Sequence, residues 1–157
     1  MTIAIRLQID AGLVSSIATI AAFTHAGASK ASIFLNPSRS IQEQEPKPYV
    51  LILTDAEKPR KVGNYREAKF MTEISVWGDA DDNDLLYPKL VDYMAQVNVA
   101  LISVASKLRL LGLIVEIEET GIGMDTYFYE TGKGVGVSQY EITYRTAYGN
   151  PYLSDPQ

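Results

Sequence analysis

The chain has 157 residues, of which 46% are hydrophobic, so it is long enough to form one domain around a single core. It contains no cysteine, which excludes disulfides, thiolate zinc sites and cysteine nucleophiles. A net charge of −5 disfavours binding to a phosphate backbone, and the apolar run Leu13–Phe23 is too short to span a membrane. We expect one domain over residues 1–157.

The first third of the chain predicts one helix and two strands. Apolar residues at every third or fourth position from Ile5 to Ala22 predict a helix that packs on a core. Ile33–Leu35 and Tyr49–Thr54 are short apolar runs typical of strands. Two polar stretches predict surface loops: residues 37–48 contain three prolines, and residues 55–69 are dominated by charged side chains.

The middle of the chain predicts a strand followed by a long helix. From Phe70 to Trp77 the sequence has a period of two, with Phe70, Ile74 and Val76 on one face and Glu73 and Ser75 on the other, which predicts a half-buried strand ending at Gly78. The acidic run Asp79–Asp84 suits the start of a helix. Apolar residues with helical spacing from Leu86 to Leu108 predict that this helix continues to Gly112.

The last third predicts three strands, Leu113–Thr120, Thr126–Glu130 and Val137–Tyr148, separated by glycine-rich turns. Grouped strands with only two helices favour an α+β fold, because alternating strand and helix units are missing. We expect a mostly antiparallel sheet of about five to six strands with two helices packed on one face.

The sequence predicts no catalytic, cofactor or metal site, and hence no enzyme. The only histidine, His25, follows the first predicted helix, where it suits the negative end of the helix dipole. The run from Asp79 begins like a calcium loop, but Asp84 and Leu90 replace its glycine and its final glutamate. The glycines of residues 132–136 lead into a strand, which favours a hairpin over a phosphate-binding loop, and Glu116 and Glu118 line the polar face of a strand.

The second half of the chain resembles the tail terminator proteins of tailed phages, also called tail completion or minor tail protein U-like proteins. The features that carry the resemblance are the alternating strand from Phe70, its end at Trp77-Gly78, the acid-capped helix, and the closing aromatic strand Tyr140–Pro151. The N-terminal helix and the polar region after it agree with the resemblance.

This resemblance implies a structural virion protein that forms a ring, expected to be a hexamer, at the head-proximal end of a tail tube. The ring would stop tube polymerisation and offer a surface for head joining. The implied partners are copies of the same chain, the tail tube protein, the head completion or connector protein, and the sheath protein if the tail is contractile. DNA would only pass through the lumen, no membrane is involved, and assembly would take place in the host cytoplasm.

Charged and aromatic residues on predicted loops and edges are the candidate contacts of such a ring, since aromatic side chains with polar tips and arginines are enriched at interfaces. We expect these contacts at Arg60, Lys61, Tyr65, Arg66, Tyr144, Arg145, Tyr148 and Tyr152.

Other interpretations remain open at this point. One is another phage neck protein, such as a head completion or stopper subunit. Another is a small α+β domain that binds a ligand or a metal through the acidic run Asp79–Asp84. A third is a regulatory domain of the ferredoxin-like type, which requires the element order βαββαβ.

Overall fold

The structure of the protein is a computed structural model that describes residues 3–23, 33–37, 47–80, 83–128 and 132–154. Two α-helices and seven strands make up these residues, which confirms the predicted α+β fold with more strands than expected. In chain order the elements are α1 (Ile5–Ile17), β1 (Ile33–Leu35), β2 (Tyr49–Thr54), β3 (Lys58–Val62), β4 (Tyr65–Asp79), α2 (Asn83–Leu110), β5 (Glu116–Phe128), β6 (Lys133–Ala147) and β7 (Asn150–Ser154).

The seven strands form one mixed sheet, in which five of them follow the order β1-β2-β4-β6-β5. Only β1 and β2 run parallel among these strands, and the long strands β4 and β6 pair antiparallel over their whole length, from Tyr65 opposite Ala147 to Asp79 opposite Lys133. Strand β3 pairs with the first part of β4, and β7 pairs with the last part of β6. Four strands precede α2, so the order differs from that of a ferredoxin-like domain.

The core lies between the helices and one face of the sheet. Helix α2 packs on β4, β5 and β6, and α1 packs beside α2. Phe70 and Ile142, which are register partners on β4 and β6, are both buried in this core. The helix approaches β6 closely at Gly136, where an added Cβ would lie 2.7 Å from Cγ of Met94. A glycine at this position therefore allows the close packing of helix on sheet.

The predicted charged loop over residues 55–69 is wrong, because most of these residues form the β3–β4 hairpin. The hairpin turns at Gly63, whose positive φ of 58° suits glycine. Residues 58–61 of β3 are exposed and only Val62 is half-buried, so the strand shows no apolar alternation. Charged residues and Pro59 on such an outer strand also protect it from pairing with other chains.

The strands predicted after α2 also differ from those of the structure. The two strands expected on either side of Gly121 and Gly123 are one strand, β5, with a register shift between Glu119 and Gly121. This irregularity accommodates the glycines within the strand, so the chain makes no turn there. Strand β7 was not predicted, and helix α1 ends at Ile17, five residues before the predicted Ala22. Most of the predicted proline-rich loop lies outside the described residues.

Candidate functional site: two interaction surfaces

All eight predicted contact residues lie at one end of the sheet. We call this region the hairpin end and define it as β3, residues 65–69 of β4, residues 143–147 of β6, and the turn and strand β7 that follow. The register brings the predicted residues together, because Arg60 pairs with Glu67 and Glu67 pairs with Arg145. Lys61 pairs with Arg66 in the same hairpin.

Two arginines share one carboxylate on the outer face of the hairpin end, the face opposite the helices. Glu67 accepts a hydrogen bond of 3.2 Å from Arg60 and one of 3.1 Å from Arg145. The Arg145 guanidinium also lies 4.6 Å from the centre of the Tyr65 ring, in a cation–π contact. The side chain of Arg60 is 72% exposed, so its remaining donors face solvent and are available to a partner.

Tyr144 and Arg66 belong to a second, more enclosed network on the side of α1. Glu57 accepts a hydrogen bond from the Tyr144 hydroxyl, a second of 2.6 Å from Arg66 and a third of 3.4 Å from Arg6. Only 2% of Tyr144 is exposed, and burial together with its hydrogen bond to Glu57 raises the pKa of this hydroxyl to about 12. The Arg6 guanidinium also packs on the ring of Phe70 at 3.4 Å. Tyr144 therefore fastens the β2–β3 connection to the sheet.

The carboxylate of Glu57 should make the fold sensitive to acid. Burial alone would raise its pKa, but hydrogen bonds from Tyr144 and Arg66 and the charges of both arginines hold the pKa below its ordinary value. A carboxyl with a lowered pKa stabilises the folded state above its unfolded pKa, and this contribution disappears as the pH falls through the folded pKa.

We expect Glu57→Gln to lower the free energy of unfolding at pH 7 by about 1–2 kcal/mol, less than for a fully buried pair because the side chain is partly exposed. The difference from the unsubstituted protein should shrink as the pH falls below the ordinary glutamate pKa of 4.5. Urea unfolding at pH 7 and in acid measures both effects. Asp92→Asn, at an exposed position on α2, is the control and should change little. A difference that stays constant with pH would contradict the assignment.

Tyr148 and Tyr152 are the accessible aromatic residues of the hairpin end, with 59% and 48% of each exposed. Lys61 places its Nζ atom 4.3 Å from the centre of the Tyr148 ring. The backbone N–H of Tyr148 donates to the carbonyl of Asn64, which fixes this turn beside the hairpin. The hairpin end thus offers cations and aromatic rings side by side on a supported backbone.

Helix α2 carries the second surface, which we call the α2 face and define by Ala95, Val99, Ile102 and Ser103. Residues 93–106, four turns of this helix, contain no charged side chain. Val99 is 68% exposed and Ile102 is 62% exposed, although the opposite side of the helix already fills the core. Interface centres are depleted of charged residues, and contiguous exposed apolar surface on a protein marks an interaction site.

A groove of about 800 Å³ runs between α1 and α2 beside the α2 face. Gly12 and Ser15 line it from α1, Thr19 lines it from the turn after α1, and Ala95 and Ser103 line it from α2. The Ser16 hydroxyl donates to the carbonyl of Ala100 at 2.8 Å and ties the two helices together below the groove. The small side chains leave room for larger side chains of a partner to enter between the helices.

The sequence prediction did not identify the α2 face. The helical spacing of the apolar residues predicts only the side of α2 that packs in the core. The signal that was available is the lack of charge over residues 93–106, since the solvent side of a helix normally carries charged and polar residues.

The acidic run from Asp79, the histidine and the glycine-rich segment lie only partly within the described residues. The described residues contain no group of three or more His, Cys, Asp or Glu side chains placed to hold a metal ion. Asp81, Asp82 and His25 lie outside them, so the interpretations of the acidic run and of the histidine stay predictions. Strands β5 and β6 are antiparallel neighbours, as the expected hairpin requires, but Gly134 and Gly136 lie within β6 and not in a turn. Residues 129–131, between the two strands, lie outside the described ranges.

Neither α1 nor α2, the two α-helices of the described ranges, is long and apolar enough to cross a membrane. No protein family model matches the sequence, and no curated protein matches it significantly.

Proposed function

We propose that the protein is a structural virion subunit of the tail terminator type. Copies of the chain form a ring at the head-proximal end of a phage tail tube, stop its polymerisation and offer the surface to which the head joins. The resemblance of the second half of the chain implies six copies and no catalytic role. The α+β fold of the structure is compatible with that resemblance.

The observation that carries the proposal is the uncharged, exposed α2 face. A 28-residue helix is about 42 Å long, so a subunit can use it to contact a large surface of another protein. Val99 and Ile102 contribute nothing to the core from their exposed positions, and a partner that covers them gains the free energy of burying apolar area. We assign this face to the contact with the tail tube protein.

The hairpin end has a different chemical character and serves a different contact in this proposal. Its cations and aromatic rings suit the polar contacts that a subunit makes with neighbouring copies in the ring. A subunit in a closed ring needs two different surfaces that meet head to tail. The separation of an apolar face from a charged sheet end supports a protein that contacts two kinds of partner at once.

A tube-capping assay tests the proposal. Tail tube protein from the same phage is polymerised with and without the purified chain, and tube lengths and tube ends are measured by negative-stain electron microscopy. We expect shorter tubes that carry a ring at one end when the chain is present. Tubes of unchanged length without terminal density, at a molar excess of the chain, would overturn the proposal.

A further inference from the structure

The two outer edges of the sheet carry opposite charge close to the hairpin end. Strand β3 forms one edge and has the basic residues Lys58, Arg60 and Lys61. Strand β5 forms the other edge and begins with Glu116, Glu118 and Glu119. All six side chains are exposed. Three of the 14 basic residues of this net negative protein therefore lie on one short strand, and three acidic residues lie on the opposite edge.

The two edges also lie at the same level of the sheet. Lys58 pairs with Lys69, Lys69 pairs with Thr143, and Thr143 pairs with Glu116, so these four residues form one row across four strands. Neighbouring strands are about 4.8 Å apart, which separates the two edges by about 14 Å. A second copy beside the first, at the same height, therefore brings a basic edge next to an acidic one.

The charged side chains of the two edges match in spacing and in face. Lys58 and Arg60 are two residues apart on β3, and Glu116 and Glu118 are two residues apart on β5. Register partners share a face of a sheet, so all four side chains lie on the outer face. Successive antiparallel pairings make β3 and β5 run in opposite directions when copies share one orientation. At the same height Glu116 lies beside Lys58, and a shift of two residues along the strands places Glu116 beside Arg60 and Glu118 beside Lys58.

We propose that the β5 edge of one copy binds the β3 edge of the next through these ion pairs. The contact joins two different surfaces, so repeated contacts close into a ring when each copy is rotated by the same closing angle about one axis. This inference deepens the proposed function, on which it rests, by naming the surfaces between subunits. Pro59 has no N–H to donate, so side-chain pairs rather than a continuous strand ladder carry the contact.

Charge reversal tests the proposal by size-exclusion chromatography with light scattering over a concentration series. Lys58→Glu with Arg60→Glu reverses the basic edge, and Glu116→Lys with Glu118→Lys reverses the acidic edge. We expect each double variant to need at least about a tenfold higher concentration to assemble than the unsubstituted chain, because like charges then face each other. Moderate salt should weaken the unsubstituted assembly as well, since the pairs are exposed.

Restoration of complementary charges distinguishes a direct contact from general damage. An equimolar mixture of the two double variants, and the quadruple variant that reverses both edges, should assemble like the unsubstituted chain. Lys89→Glu with Lys107→Glu, on α2, changes the net charge by the same amount as the basic-edge variant and should leave assembly unchanged. Circular dichroism confirms that each variant is folded.

Several results would overturn the proposal, and they have different consequences for the proposed function. If both edge variants assemble normally, the edges are not the contact, but a tail terminator could still form a ring through other surfaces. If only the basic-edge variant is affected, β3 contacts a different surface of the neighbouring copy, and not β5. If the unsubstituted chain is monomeric at every concentration, the edges do not bind each other, and the tube-capping assay alone decides the proposed function.

Discussion

Replacing Val99 and Ile102 together by aspartate should leave the fold and the ring intact but abolish capping of tail tubes. Both residues are exposed, so the free energy of unfolding should change by less than about 0.5 kcal/mol per position. In the complex with the tube protein, the same carboxylates would be buried without partners. An unpaired buried charge costs several kcal/mol, so the affinity should fall by at least about a hundredfold.

The tube-capping assay and light scattering together measure this prediction. Ile3→Asp with Leu7→Asp is the matched control, because it introduces the same charges at positions that are 53% and 60% exposed on and before α1. The control should cap tubes normally. Normal capping by the α2 variant would show that the α2 face does not contact the tube.

Leu101→Ala and Ile102→Ala should have very different effects on stability, although the two residues are adjacent in α2. Leu101 is 1% exposed and packs in the core, so its truncation should lower the free energy of unfolding by about 2–5 kcal/mol. Ile102 is 62% exposed, and its truncation should cost less than about 0.5 kcal/mol while it weakens tube binding.

Urea unfolding of both alanine variants measures the difference. Equal losses of stability would mean that α2 packs with a different side toward the sheet, and the α2 face would lose its basis. A large loss at Ile102 alone would have the same consequence. The pair therefore tests the orientation of the helix independently of any partner protein.

The sequence predicted those elements in which one side is buried, because burial makes apolar residues recur at regular spacing. Helix α2 was found because apolar residues from Leu86 to Leu108 recur at helical spacing, and the centre of β4 was found because alternation puts Phe70 and Ile74 in the core. Strand β3 was missed because neither of its faces is buried, so no periodic pattern marks it. Strand β5 was predicted as two strands, because glycines normally indicate a turn, whereas a bulged edge strand tolerates them.

The candidate site was predicted in part for similar reasons. The predicted charged and aromatic contact residues lie together at one end of the sheet because the hairpin pairs in register with β6. No local sequence pattern reveals this pairing. Tyr144 proved to be buried, since the alternation of β6 points it toward the core side. The α2 face was missed because its apolar residues look like ordinary helix composition until the structure separates the exposed ones from the buried ones.

The state of assembly of the purified chain tests the central claim most directly. Light scattering after size exclusion, with negative-stain imaging of the peak, should give a closed ring of several copies with a central opening, alone or in the presence of tail tube protein. A chain that remains monomeric at high concentration, even with the tube protein present, would contradict the account.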